Sequence, residues 1–199
     1  MGLQHAHWIN PKGGATGMTK SLSELIPEID QIQDAKLRAK VAAVWEDALA
    51  MGNWSLEDLA EMPYTLLVEN VTISFPEHVS VVARLCLAIE GVLREAYADR
   101  YEIDRDVLLA GALLADVGKL LEFQKSDQRY AWADMYRYLR HPFTGVGLCF
   151  KQGIPEAVMH IVATHSWEGE KFTRLPESII FHHADFIDFD LTKYESQQG

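Results

Sequence analysis

Five side chains with the chemistry of metal ligands are spread along the last two-thirds of this 199-residue chain: His78, Asp116, His141, His165 and Asp185. Each falls in a different stretch of helical periodicity, and each is surrounded by apolar positions instead of a polar face. A carboxylate buried without a partner is strongly unfavourable, and an unpaired imidazole is also costly. Taken singly, each has a plain explanation: His78 as a hydrogen-bonded core histidine, Asp116 or His141 as a helix cap, Asp185 as a cap or ion-pair partner. Taken together, their simplest common partner is a divalent cation. Imidazoles and carboxylates suit Mn, Fe, Ni, Co or Zn, and the lack of thiolate ligands argues against a structural zinc site. Helical bundles build such sites by pointing side chains inward from facing helices.

The elements that must position these groups are helical. Residues 1 to about 20 read as a loose polar arm around Pro11-Lys12-Gly13-Gly14, where His5 and His7 have no more than adventitious metal affinity. Ser21 and Ser23 offer caps ahead of Leu22, Leu25, Ile26 and Ile29. A helix over Asp34 to Met51 carries Val41, Val44, Trp45 and Leu49 on one face and stops at Gly52-Asn53. Ser55, with Glu57 and Asp58 behind it, opens another, broken at Met62-Pro63-Tyr64. The longest helix is expected from Phe75 to about Tyr101, with Pro76 in its first turn and one stripe through His78, Val82, Leu85, Ile89 and Leu93. Asp104 or Asp106 starts the next, which ends near Asp116; Gly118 marks a bend and Lys119 to Phe123 continue as a short helix. Further helices are expected over Trp132 to Arg140, from His141-Pro142 onward, over Ile154 to His165, and from Pro176 through Asp185 and Ile187. No segment sustains strand alternation. The expected class is all-α, without internal repeats.

Composition narrows the partners. The net charge of -11 gives no global attraction to nucleic acid or an anionic membrane. No apolar run approaches ~20 residues, so no membrane span is expected. Cys86 and Cys149 lie in apolar helical patterns and read as buried reduced thiols, which fits a cytoplasmic location. The first residues lack a basic-then-apolar signal pattern. The few basic residues near the ligand positions (Lys119, Arg137, Arg140, Lys171 and Arg174) allow an anionic substrate. A small soluble molecule is therefore the expected partner. Trp45, Trp54 and Tyr64 suit core packing, or else a lid or the interface of a homo-oligomer.

Five segments, in this order, resemble the HD-domain superfamily of metal-dependent phosphohydrolases over roughly residues 68 to 190. Glu77-His78-Val79-Ser80-Val81-Val82-Ala83-Arg84 is similar to the helix of the first histidine. Leu113-Leu114-Ala115-Asp116-Val117-Gly118-Lys119 resembles the His-Asp doublet and its Gly-Lys, with alanine where the histidine belongs. His141-Pro142-Phe143-Thr144-Gly145, Ile161-Val162-Ala163-Thr164-His165 with Glu168, and Ala184-Asp185-Phe186-Ile187-Asp188 complete the set. The resemblance implies an HD-like helical bundle over residues 67–199, preceded by an arm and helical extension over residues 1–66. It implies that His78, the doublet and Asp185 hold a first metal. Asp116 would bridge to a second, held by His141 and His165. Lys119, one turn past Asp116, would neutralise a substrate anion.

Two metals ~3.5–4 Å apart can generate a hydroxide nucleophile near neutral pH, with His141, His165 or Glu168 relaying a proton. Hydrolysis of a phosphate ester or another hydrolysable bond is the expected reaction. A di-iron oxygenase and a non-catalytic binding protein with a relic site are the alternatives.

Ala115 cannot ligate, so metal occupancy is expected to be reduced and turnover impaired. Either the histidine was substituted to stop turnover, or the chain is a degenerate paralogue; His182, at i-3 from Asp185, is a further possible ligand. Restoring the imidazole with Ala115→His is expected to tighten divalent-metal binding by about 10–100-fold, taking the size of outer-shell effects as a floor. Metal titration and turnover across a substrate panel check this, and no change in either removes the catalytic reading.

Overall fold

The computed structural model describes residues 21–127 and 129–198, with Asp99 as backbone only. The arm expected over residues 1 to about 20, with His5 and His7, lies outside the described residues. Local capping chemistry sets most of the helix starts. Ser21 and Glu24 exchange hydrogen bonds at the start of α1 (Leu22–Leu25), a capping box. Asp34 caps α2 (Ala35–Gly52), accepting from the Lys36 and Leu37 amides. Asn53, at φ 54°, ends α2 in the left-handed conformation that asparagine tolerates. Ser55 with Asp58 boxes the start of α3 (Leu56–Glu61), and Ser74 with Glu77 that of α4 (Phe75–Tyr97), whose first turn holds Pro76. Asp104 caps α5 (Arg105–Leu114). A tight turn then leads into α6 (Lys119–Glu122), followed by α7 (His141–Lys151), α8 (Glu156–Thr164) and α9 (Pro176–Ser196).

The fold is a predominantly α-helical bundle. Helix α5 packs against α4, α8 and α9, and is buried along nearly its whole length. Among the described residues no helix is long and apolar enough to cross a membrane.

Two local expectations change. The chain leaves the helix at Phe123 and forms an antiparallel hairpin, β1 (Phe123–Ser126) with β2 (Arg129–Trp132), in which Phe123 faces Trp132. The Phe123 and Trp132 rings meet edge to face at 5.3 Å, and Trp132 lies 4.1 Å from the Tyr136 ring. These cross-strand aromatic contacts favour the strand pair over the helix expected from Trp132 to Arg140, of which a single 3-10 turn, Asp134–Arg137, remains. Helix α4 is also buried along a different line. His78, Val82, Cys86 and Glu90 are buried, with Val79 and Ala83 beside them, while Leu85, Ile89 and Leu93 are only half-buried. With α5 and α9 packed against it, the buried face follows the i, i+4 row.

The extension before α4 is held to the bundle through two indoles. Trp45 Nε1 donates to the Leu113 carbonyl at 3.1 Å, and Trp54 Nε1 to the Leu120 carbonyl at 2.7 Å. Both tryptophans and Tyr64 are buried, so these aromatics serve the core. Their acceptors flank the turn that carries Asp116, so the extension helps fix that turn.

Glycines test this packing with opposite signs. A Cβ on Gly111 would overlap the Ile161 side chain where α5 meets α8, whereas a Cβ on Gly91 would meet nothing within 4 Å. Gly111→Ala is expected to destabilise by about 1–3 kcal/mol through overpacking. Gly91→Ala is expected to stabilise by roughly 0.5–1 kcal/mol. Urea unfolding reads both, and a stabilised Gly111→Ala would contradict the packing.

Candidate metal centre

Five elements deliver the five candidate ligands to one place. His78 sits in the first turns of α4, where the Ser74–Glu77 box fixes the start of the helix. Asp116 projects from the turn between α5 and α6. Gly118 lets that turn press against α7, because a Cβ there would overlap the His141 carbonyl and the Thr144 hydroxyl. His141 opens α7, His165 closes α8, and Asp185 lies mid-way along α9.

The Asp116 carboxylate divides between two groups. Its Oδ2 lies 3.1 Å from His78 Nε2, which is also 3.2 Å from Asp185 Oδ1. Its Oδ1 lies 3.4 Å from His141 Nε2 and 3.5 Å from His165 Nε2. In each trio, His78–Asp116–Asp185 and Asp116–His141–His165, the possible ligand atoms lie within 4.8 Å of one another. His78, Asp116, His141 and His165 are buried, and the Asp185 side chain is 15% exposed.

The remaining hydrogen bonds fix the imidazole tautomers. His165 Nδ1 must donate to the Val162 carbonyl at 2.8 Å, since a carbonyl can only accept. His141 Nδ1 lies 2.8 Å from Glu122 Oε2, and His78 Nδ1 lies 2.7 Å from Asp188 Oδ2. Nδ1 of each ring therefore carries a proton; His141 and His165, as neutral rings, turn a bare Nε2 to the cluster, whereas His78 Nε2 faces the Asp116 and Asp185 oxygens. His141 Nε2 and His165 Nε2 face each other at 3.1 Å, so two lone pairs oppose beside a carboxylate oxygen. That arrangement asks for a cation, and the donor set of imidazoles and carboxylates fits a divalent one.

Electrostatics separates His78, a protonated ring among three carboxylates, from the neutral His141. Burial opposes a charged His78, but its hydrogen bonds to Asp116, Asp185 and Asp188 outweigh burial and raise its pKa to about 10. Burial would raise Asp116, yet the Lys119 charge and the hydrogen bonds of His165 and His78 hold it well below the usual carboxylate range. Burial lowers His141 and keeps that ring neutral, despite Glu122 behind it.

The clusters open on a cavity of about 420 Å³, lined in part by Asp116, His141, His165 and Asp185. Two cations, Lys119 and Arg140, reach its wall. Lys119 Nζ is 2.8 Å from Asp116 Oδ2 and 5.6 Å from the centre of the Tyr64 ring. Tyr64, Phe123, Trp132, Trp167, Phe186 and Phe189 supply aromatic surface.

Glu168 lies apart from the cavity lining: its buried carboxylate has Arg140 Nη1 3.6 Å away and makes no hydrogen bond. Ala115 is fully buried in the hydrophobic core. His182 belongs to neither trio, since its Nδ1 donates to the His165 carbonyl at 2.6 Å, and His183 is exposed. Arg174 is spent on the Thr164 and Ser166 carbonyls. Three groups at the centre were missed by sequence reading: Glu122 and Asp188 behind two of the imidazoles, and Tyr64, whose ring stacks on His78 at 4.1 Å. The available signal was spacing, because Glu122 is i+3 from Lys119 and Asp188 is i+3 from Asp185.

No protein-family model matches the chain, and no solved structure matches it. The dihydroneopterin 2',3'-cyclic phosphate phosphodiesterase of Methanocaldococcus jannaschii is 30% identical to it over 175 residues, which span 84% of this chain and 68% of that protein.

A cation that settles the opposed lone pairs stabilises the folded state. Adding MnCl₂ to metal-stripped protein is expected to raise the melting temperature, by about 2.7 kcal/mol of stability at one hundred times the dissociation constant. A chelator should reverse the shift. Melting curves unmoved by millimolar Mn²⁺, Fe²⁺ or Zn²⁺ would contradict this reading of the cluster.

Proposed function

The chain belongs to the family of the dihydroneopterin 2',3'-cyclic phosphate phosphodiesterase, and from that premise we propose that it is a metal-dependent phosphohydrolase of HD-domain type, acting on a small phosphodiester joined to a planar ring. The observation that carries the reading is the Asp116 carboxylate, with one oxygen turned to each imidazole group at the wall of an aromatic-lined cavity. His78, Asp116 and Asp185 would hold one cation, and Asp116, His141 and His165 a second. Bound there, divalent cations supply Lewis acidity and a hydroxide nucleophile near neutral pH.

The protein's own groups then do three things. Lys119 and Arg140 place positive charge at the cavity wall, where a phosphoryl group passing through its transition state gains negative charge on its equatorial oxygens. Trp132 and Phe186 offer flat faces to a ring, holding the ester in place while the phosphorus end meets the charged groups. Burial of the imidazoles and Asp116 keeps this corner in low dielectric, where each charge acts more strongly than in water. In a cyclic phosphate, water adds at phosphorus, one ring P–O bond breaks, and the freed alkoxide takes a proton to leave a monoester and a hydroxyl. Lys119, whose Nζ donates to Asp116 Oδ2 at 2.8 Å, is the group assigned to that charge.

Ala115 leaves the His78 trio without a fourth protein ligand, which accounts for an activity expected to be low. The relative's activity and the fit of the cavity support hydrolysis over oxygenation or a relic binding site.

The test is hydrolysis of a cyclic phosphodiester by protein loaded with Mn²⁺, Fe²⁺, Co²⁺, Ni²⁺ or Zn²⁺, followed by phosphorus NMR. Metal-dependent conversion of diester to monoester is expected, with Asp116→Asn lowering kcat by at least about 10–100-fold. Absence of conversion with every metal, in both this chain and Ala115→His, would overturn the assignment.

A further inference from the structure

We infer that Glu122 and Asp188 are positioning residues of the metal centre, each holding one histidine from behind, and that Glu122 also ties the centre to the anion-binding wall through Arg140. The inference rests on the reading that the two trios hold divalent cations. It adds the groups that decide how the imidazoles face those cations.

A neutral imidazole has one N–H and one lone pair, so whichever nitrogen keeps the proton determines which can ligate. Asp188 Oδ2, 2.7 Å from His78 Nδ1, and Glu122 Oε2, 2.8 Å from His141 Nδ1, each hold that proton on the far side of the ring. Each leaves Nε2 as the nitrogen aimed into its trio. A carboxylate behind an imidazole also raises the basicity of the ligating nitrogen. His165 has only the neutral Val162 carbonyl behind it. Each trio thus contains one imidazole with a charged group at its back. Helix α9 does double service, since Asp185 joins the His78 trio directly and Asp188, three residues on, orients His78 itself.

Glu122 does more. Its side chain is 1% exposed, and its second oxygen accepts from Arg140 Nε at 2.6 Å. Both of its oxygens are thus committed, one to His141 Nδ1 and one to Arg140 Nε. Arg140 is held in turn between Glu122 and the buried Glu168 and reaches the cavity wall. One carboxylate therefore sets both the tautomer of His141 and the aim of the guanidinium. Glutamine in its place has the same shape but only one acceptor oxygen. Its amide N–H must then oppose either His141 Nδ1–H or Arg140 Nε–H, so one of the two bonds is lost. Asparagine at 188 can keep its single bond and loses only the charge.

The experiment is calorimetric titration of MnCl₂ into metal-stripped protein, for this chain, Glu122→Gln, Asp188→Asn and Arg140→Ala. Melting temperatures of the metal-free proteins are measured alongside, and inorganic phosphate is then titrated into each Mn²⁺-saturated protein. Glu122→Gln is expected to weaken Mn²⁺ binding by roughly 10–100-fold and Asp188→Asn by about 10-fold. The metal-free melting temperature of Asp188→Asn should hold, which a merely structural loss would not allow. Arg140→Ala should keep its Mn²⁺ affinity and lose phosphate affinity, and Glu122→Gln should lose both.

If this chain takes up no Mn²⁺, the metal reading itself falls and the inference goes with it. If this chain binds Mn²⁺ and both carboxylate variants bind it equally well, only the positioning role is overturned. Should Glu122→Gln fail to fold, Asp188→Asn decides that role. Unchanged phosphate affinity in a folded Glu122→Gln overturns the coupling through Arg140.

Discussion

A buried carboxylate shared between three imidazoles organises this molecule. Asp116 sits in the interior with His78 on one oxygen and His141 and His165 on the other. Two further carboxylates, Asp185 and Asp188, close on His78, and the nearest ammonium is that of Lys119. In low dielectric such a group is stable only if each charge is answered and each ring carries its proton on the correct nitrogen. The packing around it serves that requirement. Trp45 and Trp54 anchor the carbonyls on either side of the Asp116 turn, Gly118 lets the turn approach α7, and the capping box at Ser74 and Glu77 sets the start of the helix that presents His78.

The same constraint explains why the chain before α4 is more than an appendage. It supplies Tyr64, which stacks on His78 and faces Lys119, and the two indoles that hold the Asp116 turn. The hairpin after α6 supplies Phe123 and Trp132 to the cavity wall, while Tyr130 stacks on Trp54 at 6.1 Å behind it. Candidate metal ligands, a cationic wall and flat aromatic surfaces therefore meet in one cavity. That combination suits a small phosphodiester better than a polymer.

Much of this was legible in the sequence. His78, Asp116, His141, His165 and Asp185 stood out because polar groups on apolar helical stripes need a shared partner, and the structure brings all five together. The helix starts were legible because capping is local: Ser21, Asp34, Ser55 and Asp104 act within three residues of themselves. What stayed hidden depends on contacts across the fold. Glu122 and Asp188 look like ordinary helix-surface carboxylates until the histidines arrive from other helices. The hairpin is written in Phe123, Tyr130 and Trp132, but their pairing and ring contacts are non-local. The buried row of α4 shifted to Cys86 and Glu90 because α5 and α9 select it, a choice that periodicity alone does not make.

The central claim is that the two trios are cation sites joined by Asp116. Anomalous diffraction at the manganese edge, from crystals of metal-stripped protein soaked in MnCl₂, tests it most directly. The account predicts anomalous density within coordination distance of His141 Nε2, His165 Nε2 and Asp116 Oδ1, and a second, weaker peak beside His78, Asp116 and Asp185 where Ala115 leaves the ligand set short. No anomalous density at either trio, with the imidazoles still facing one another as they do here, would contradict it.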